Sequence, residues 1–192
     1  MNNKLTLLLL VTLALSIKSY SQDYDFRKAK WGESMEEVKK NESVELEVRD
    51  LSFGGAKMLA GLVRVMGLDA LVAYIFIDDQ LHKATYVFNT TEFDGKDCIE
   101  HYNSIKDVLV AKYGKPRGKS DMIWKDDLYK DDEHLWGSAL SLGHLEYNSI
   151  WDDPLIALTL EGDFREIDLA VEYLSPEFIK KMEALKANSI EF

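Results

Sequence analysis

The sequence predicts an α+β fold, an antiparallel sheet of about six to seven strands with helices packed on one face. Three observations predict it. Segments that are apolar, or that alternate apolar with polar residues, gather in two groups, residues 44–88 and 144–174. Within each group the breaks are of hairpin length: Gly67, Asp78-Asp79-Gln80, Pro154 and Gly162-Asp163. Helical spacing is confined to stretches before or after the groups, which is the order of an α+β chain and not of an alternating one.

The first helix is signalled by Ser34 followed three residues later by Glu37, a capping box in which each side chain satisfies a free N–H of the first turn. Gly32 lets the chain turn in, Trp31 seals the helix start, and the helix runs from Met35 to about Glu42. Residues 44–50 (VELEVRD) read as a half-buried strand with Val44, Leu46 and Val48 inward. A loop with the Gly54-Gly55 pair follows, then strands at about 58–66, 69–77 and 81–88. The middle one, LVAYIFI, is apolar on both faces and predicts a central strand covered on both sides.

Asp94 to Tyr113 predicts the longest helix, with Cys98, Tyr102, Ile105 and Leu109 on one stripe joined by Ile99 and Val108. It ends at Tyr113-Gly114-Lys115-Pro116, where glycine supplies the left-handed residue and proline forbids continuation. A short apolar piece (122–124), an acidic loop (125–134) and a weak helix from about His134 to Leu142 lead to three strands, at 144–152, 155–161 and 164–174. In the last, Ile167, Leu169, Val171 and Tyr173 face in while Glu166, Asp168 and Glu172 face out. Ser175-Pro176 opens a final helix with Phe178, Ile179, Met182 and Leu185 on its apolar side. Helix then strands, twice, suggests a degenerate duplication.

The first residues bear on compartment. Lys4 precedes a charge-free apolar run, Leu5 to Ile17, and Ser19-Tyr20-Ser21 offers small residues for signal peptidase. At 13 residues the run is shorter than the roughly 20 a membrane span needs. Residues 1–21 are expected to be a signal peptide and 22–192 a single exported domain, periplasmic or extracellular, with no integral span after cleavage. Loss of Lys4 and Lys18 takes the net charge from −11 to −13. So acidic a chain is repelled by phosphate backbones, and nucleic acid is excluded as a partner. Cys98 is the sole cysteine, so neither an intrachain disulfide nor a cysteine metal site is available.

Phe26 to Val38, FRKAKWGESMEEV, resembles the opening F-x-x-x-x-W-G-x-S-x-E-E-V of a group of exported bacterial proteins of unknown function, of the Bacteroidetes type. The Tyr-x-Phe strands Tyr74-Ile75-Phe76 and Tyr86-Val87-Phe88, and the helix end Tyr113-Gly114-Lys115-Pro116, belong to the same resemblance. More distantly, the helix punctuation is similar to two extracytoplasmic folds, the small lipoprotein of the outer-membrane assembly machine and the β-lactamase-inhibitor protein. This chain has no cysteine after its apolar leader and departs from the lipoprotein there. The resemblance implies a binding module and supplies no catalytic residue.

The residues themselves offer candidates for chemistry, and each has a plainer reading. Asp126, Asp127, Asp131, Asp132, Glu133 and His134 could ligate Ca²⁺, but their spacing is not that of an EF-hand, and a solvated loop is preferred. His82, His101, His134 and His144 form no zinc motif, and His82 and His101 read as core-edge residues. Cys98 lies on the apolar stripe and reads as an inert thiol, although His101 is one turn away. Glu166, Asp168 and Glu172 make an exposed row that reads as a solvated face or a dock for a basic partner. Of the four tryptophans, Trp31 and Trp151 read as core, leaving Trp124 and Trp136 as candidates for an exposed contact. No catalytic, cofactor or metal residue is assigned. The expected function is an exported, non-catalytic binding module whose partner is another envelope or secreted protein. The alternative is a small hydrolase using the acidic loop and a histidine, with or without a divalent cation, which requires His134 or His101 to meet two carboxylates in a concave pocket.

Overall fold

The computed structural model describes residues 24–52, 55–118, 120–164 and 166–182. The expected leader 1–21 and the far part of the last helix, with Leu185, lie outside the described residues, as do Phe53, Gly54, Lys119 and Arg165.

Helix α1 (Met35–Asn41) precedes strands β1 (Glu47–Asp50), β2 (Lys57–Val65), β3 (Leu68–Ile77) and β4 (Gln80–Phe88). Helix α2 (Gly95–Tyr113) then leads to β5 (Met122–Trp124), a 3₁₀ turn (Glu133–Leu135), helix α3 (Trp136–Ser141), and strands β6 (Leu145–Asp152), β7 (Leu155–Asp163) and β8 (Glu166–Leu174). All eight strands form one antiparallel sheet in the order β1-β2-β3-β4-β8-β7-β6-β5. The sheet is larger than the six to seven strands expected, because the short piece 122–124 pairs with β6 instead of standing alone.

The order is mirrored about the β4–β8 seam. Each half is a helix followed by four strands paired in chain order, with α3 inserted between β5 and β6 in the second, and each has its own core. In the first half Phe26, Val38, Leu59, Val72, Tyr74, Phe76 and Leu81 cluster; in the second, Cys98, Tyr102, Ile105, Leu109, Leu140, Trp151 and Leu158 do. Val63, Tyr86 and Tyr173 touch both clusters and close the seam.

Turn chemistry sets the register. Met66-Gly67 (φ 53° and 83°) and Asp78-Asp79 (φ 54° and 57°) are two-residue turns with both central residues left-handed, matching the right-handed twist of the strands they join. His82 is an extra residue: Ile75 pairs with Lys83 but Phe76 with Leu81, a β-bulge.

Four expectations are corrected. Val48 is exposed, because β1 is an edge strand of four residues and α1 has only seven with which to reach over it. Val108 is likewise exposed, and the buried residues of α2 are Gly95 and the stripe Cys98–Tyr102–Ile105–Leu109. Strand β3 is third of eight, and on its second face Ala73 and Ile77 are buried while Leu71 and Ile75 are half-buried. Gly162 is not a turn residue. It pairs with Ile167 inside the sheet, because a Cβ there would stand 1.9 Å from the Leu140 carbonyl oxygen of α3.

Helices α1, α2 and α3 cover one face of the sheet. The final helical turn, Phe178 to Met182, starts at the other: the Lys83 ammonium lies 6.0 Å from the Phe178 ring centre, and Lys181 Nζ bonds Asp78 Oδ2 at 2.8 Å. Among the described residues no helix is long and apolar enough to cross a membrane.

Candidate functional site

The opening motif is built into the first core. Phe26 sits among the rings of Tyr74, Tyr86 and Tyr173 at 5.5, 4.9 and 4.9 Å. Arg27 Nε and Nη2 donate to the two carboxylate oxygens of Glu42 at 3.0 Å each, and Tyr74 Oη donates to Glu42 Oε1 at 2.6 Å. Burial alone would push the Glu42 carboxyl up, but these donors and the Arg27 charge outweigh it and hold the group below the usual carboxylate range. The same pairing raises Arg27, and burial raises Tyr74. Gly32 N–H donates to the Leu81 carbonyl and Leu81 N–H to that of Glu33, both at 2.9 Å. The capping box is present, with Ser34 N–H donating to Glu37 Oε2 at 2.8 Å. The stretch therefore staples α1 to the β3–β4 hairpin, and its side chains are committed to one another.

The expected chemical candidates are dispersed. His134 lines a cleft of about 580 Å³ between the start of α2 and α3, with Phe93, Lys96, Ser138, Leu142 and Ile167. One carboxylate, Asp94, shares that cleft, and its Oδ1 accepts the N–H groups of Lys96 and Asp97 as the cap of α2. His101 packs edge-on against Phe93 at 4.5 Å. Neither histidine meets two carboxylates there, which is what the hydrolase reading requires. In the acidic loop Asp127 pairs with Lys130, Asp126 accepts from Leu128 N–H, and Asp132 accepts from His134 N–H. Among the described residues no three His, Cys, Asp or Glu side chains group to hold a metal ion. Burial, with Asp97 and Asp94 nearby, pushes the Cys98 thiol up to about 11, so it stays protonated. Trp151 is buried with Nε1 donating to the Gly114 carbonyl, while Trp124 and Trp136 pack on each other at 6.0 Å.

What the sheet does present is its second face, away from α2 and α3. The registers place residues of this face in rows that run across the strands. One row is Leu62–Leu71–Val87–Ala170–Thr159–Asn148. The next is Glu47–Ala60–Ala73–Thr85–Glu172–Ala157–Ile150. Leu62 is 81% exposed and Val87 37%, and Leu71 between them is half-buried. Further along the same face, toward the β7–β8 turn, the two strands carry carboxylates, with Glu161 opposite Asp168 and Asp163 opposite Glu166. None of these four carboxylates has an ion-pair partner among the described residues, whereas Arg64 pairs with Asp69 and Lys83 with Glu172. The sequence identified Asp168 and Glu166 as part of an outward row. It did not reveal Leu62, because a lone leucine in an alternating strand carries no sign of which face the helices cover.

Comparison of the chain with protein-family models, with curated proteins and with solved structures finds no match.

Proposed function

We propose that the chain is exported, loses residues 1–21, and acts as a non-catalytic binding module for another envelope or secreted protein. The contact surface is the second face of the sheet around Leu62, Leu71 and Val87. The observation that carries this reading is the exposure of Leu62 and Val87 in one row of a pleated surface, with the half-buried Leu71 between them and no described element packed over them. Apolar side chains that adjoin one another on an exposed sheet face, unlike singly scattered ones, mark an interaction site. The two mirrored halves are a degenerate duplication of one helix-and-meander unit, an architecture that fits the binding folds which the helix punctuation resembles.

Two measurements test the reading. Mass spectrometry of protein from the native envelope should give Gln22 as the first residue, and an uncleaved chain would remove the export step. Envelope proteins captured by the wild-type chain should be lost to the double variant Leu62→Asp, Val87→Asp. Undiminished capture by that variant would place the contact elsewhere.

A further inference from the structure

We infer that the occupant of the second face is a polypeptide segment with apolar residues at one end and lysine or arginine at the other, an inference that rests on the binding reading above. The chemistry of the face is divided at the β4–β8 seam. On β2, β3 and β4 the row Leu62–Leu71–Val87 offers aliphatic side chains. On β8 and β7 that row continues as Ala170 and Thr159; Asp168 and Glu161 stand at the next positions of the same face along the strands, with Glu166 and Asp163 beyond them. Like charges placed directly opposite in a sheet repel, and here two such pairs stand together without a cation among the described residues. A basic side chain laid across them relieves that repulsion, and an anionic lipid surface or a nucleic acid would worsen it.

The dimensions select a polypeptide. From β2 to β7 is four strand steps, about 19 Å at roughly 4.8 Å per step. That is the length of about 13 residues of α-helix. A segment laid obliquely from Leu62 to Glu161 meets aliphatic side chains on β2, β3 and β4 and carboxylates on β8 and β7, so it carries its apolar and basic residues in succession instead of interleaved.

The probe is a synthetic peptide of about 14 residues, leucine and alanine in its first half and lysine in its second, titrated into the full mature chain and followed by NMR. Shifts should concentrate at Leu62, Leu71, Val87, Glu161 and Asp168. Affinity should fall about tenfold in the combined variant Glu161→Gln, Asp163→Asn, Glu166→Gln, Asp168→Asn. It should change less than about twofold when Asp126, Asp127, Asp131 and Asp132 are changed to Asn instead. Equal losses in both variants, shifts centred on the acidic loop or the Phe93–Ile167 cleft, or equal binding of a peptide with glutamates in place of its lysines would overturn the inference. So would a sedimenting dimer of the free chain dispersed by Leu62→Ser with Val87→Ser, which would make the occupant a second copy. If these tests fail while native capture still depends on Leu62 and Val87, the binding module stands and the partner's charge is wrong.

Discussion

The two halves of the sheet share a topology and differ in what they bury. In the first half a seven-residue helix covers little, and the N-terminal segment fills the gap with Phe26 and an ion pair, Arg27–Glu42, whose carboxylate is fully removed from solvent. In the second half the 19-residue α2 supplies an apolar stripe; the polar contact buried beneath it is the neutral Tyr102–Ser149 pair at 2.8 Å, and its Lys106–Asp121 ion pair at 2.6 Å stays partly in solvent. A short helix cannot bury enough apolar area to close a core, so the first half relies on a charge network that must be complete to be tolerated. A long helix needs no such device. The halves should therefore fail differently when perturbed.

The largest effect is expected at Glu42. Replacing it by alanine strands Arg27 beside Tyr74 and Tyr86 without its acceptor, and breaking such a pair costs about 3 kcal/mol or more. Urea unfolding with an unchanged slope measures it. Removing both partners, Glu42→Met with Arg27→Met, should recover much of that loss. If the double variant is as unstable as the single one, the network is not what distinguishes this half.

Next come the two strand glycines over which another backbone passes. A Cβ on Gly61 of β2 would lie 2.4 Å from the Glu45 carbonyl oxygen, and on Gly162 of β7 1.9 Å from that of Leu140. Alanine at Gly162 should cost about 2 kcal/mol, within the usual range for overpacking. There α3 cannot retreat, since Gly137 and Gly95 are already in backbone contact on its far side. Alanine at Gly61 should cost less, because Glu45 lies on an edge segment free to shift. Equal losses at both positions would mean that the second half is no more tightly braced than the first.

The pattern of these contacts explains what could be read from residue order alone. Local signals were legible: the Ser34–Glu37 box, the glycine at 114, the alternation from Glu166 to Tyr173. Positions whose role depends on a distant element were not. Gly162 resembles a turn until α3 is seen to lie on it, and Val48 resembles a core residue until β1 is seen to be an edge. Glu42 gave no sign of its partner 15 residues away, since a glutamate after a helix is ordinarily solvated. The candidate face was legible only in its acidic part. Its aliphatic part emerges from the register of strands brought together by the fold.

A smaller effect is expected at the α1 cap. Ser34→Ala removes an acceptor for Glu37 N–H and a reciprocal contact with its carboxylate, for a loss of about 1 kcal/mol. Because Gly32, Glu33 and Met35 are also bonded to the β3–β4 hairpin, this loss should be felt globally and not as fraying of α1 alone. Amide exchange that speeds up only within residues 35–41, with unfolding unchanged, would show the cap to be a local device.

The smallest signal is a pH dependence at the seam. His82, on the β4 bulge, is buried with Nδ1 3.0 Å from Ser175 Oγ, and among the described residues its Nε2 has no partner. Burial, and then the Lys181 charge, lower its pKa below the ordinary value near 6.5, against weaker opposing pulls from Glu177 and Asp78. The unfolded chain therefore takes up a proton more readily than the folded one. Stability from this group is complete above the unfolded value and is lost as pH falls through the folded one. Melting temperature should thus decline from about pH 7 to 5, the window of an unshifted histidine and the region just below it. The decline should be shallower in His82→Gln, whose side chain does not titrate and can still reach Ser175. The same slope in both proteins would mean that the β4–β8 seam is indifferent to the charge placed on it.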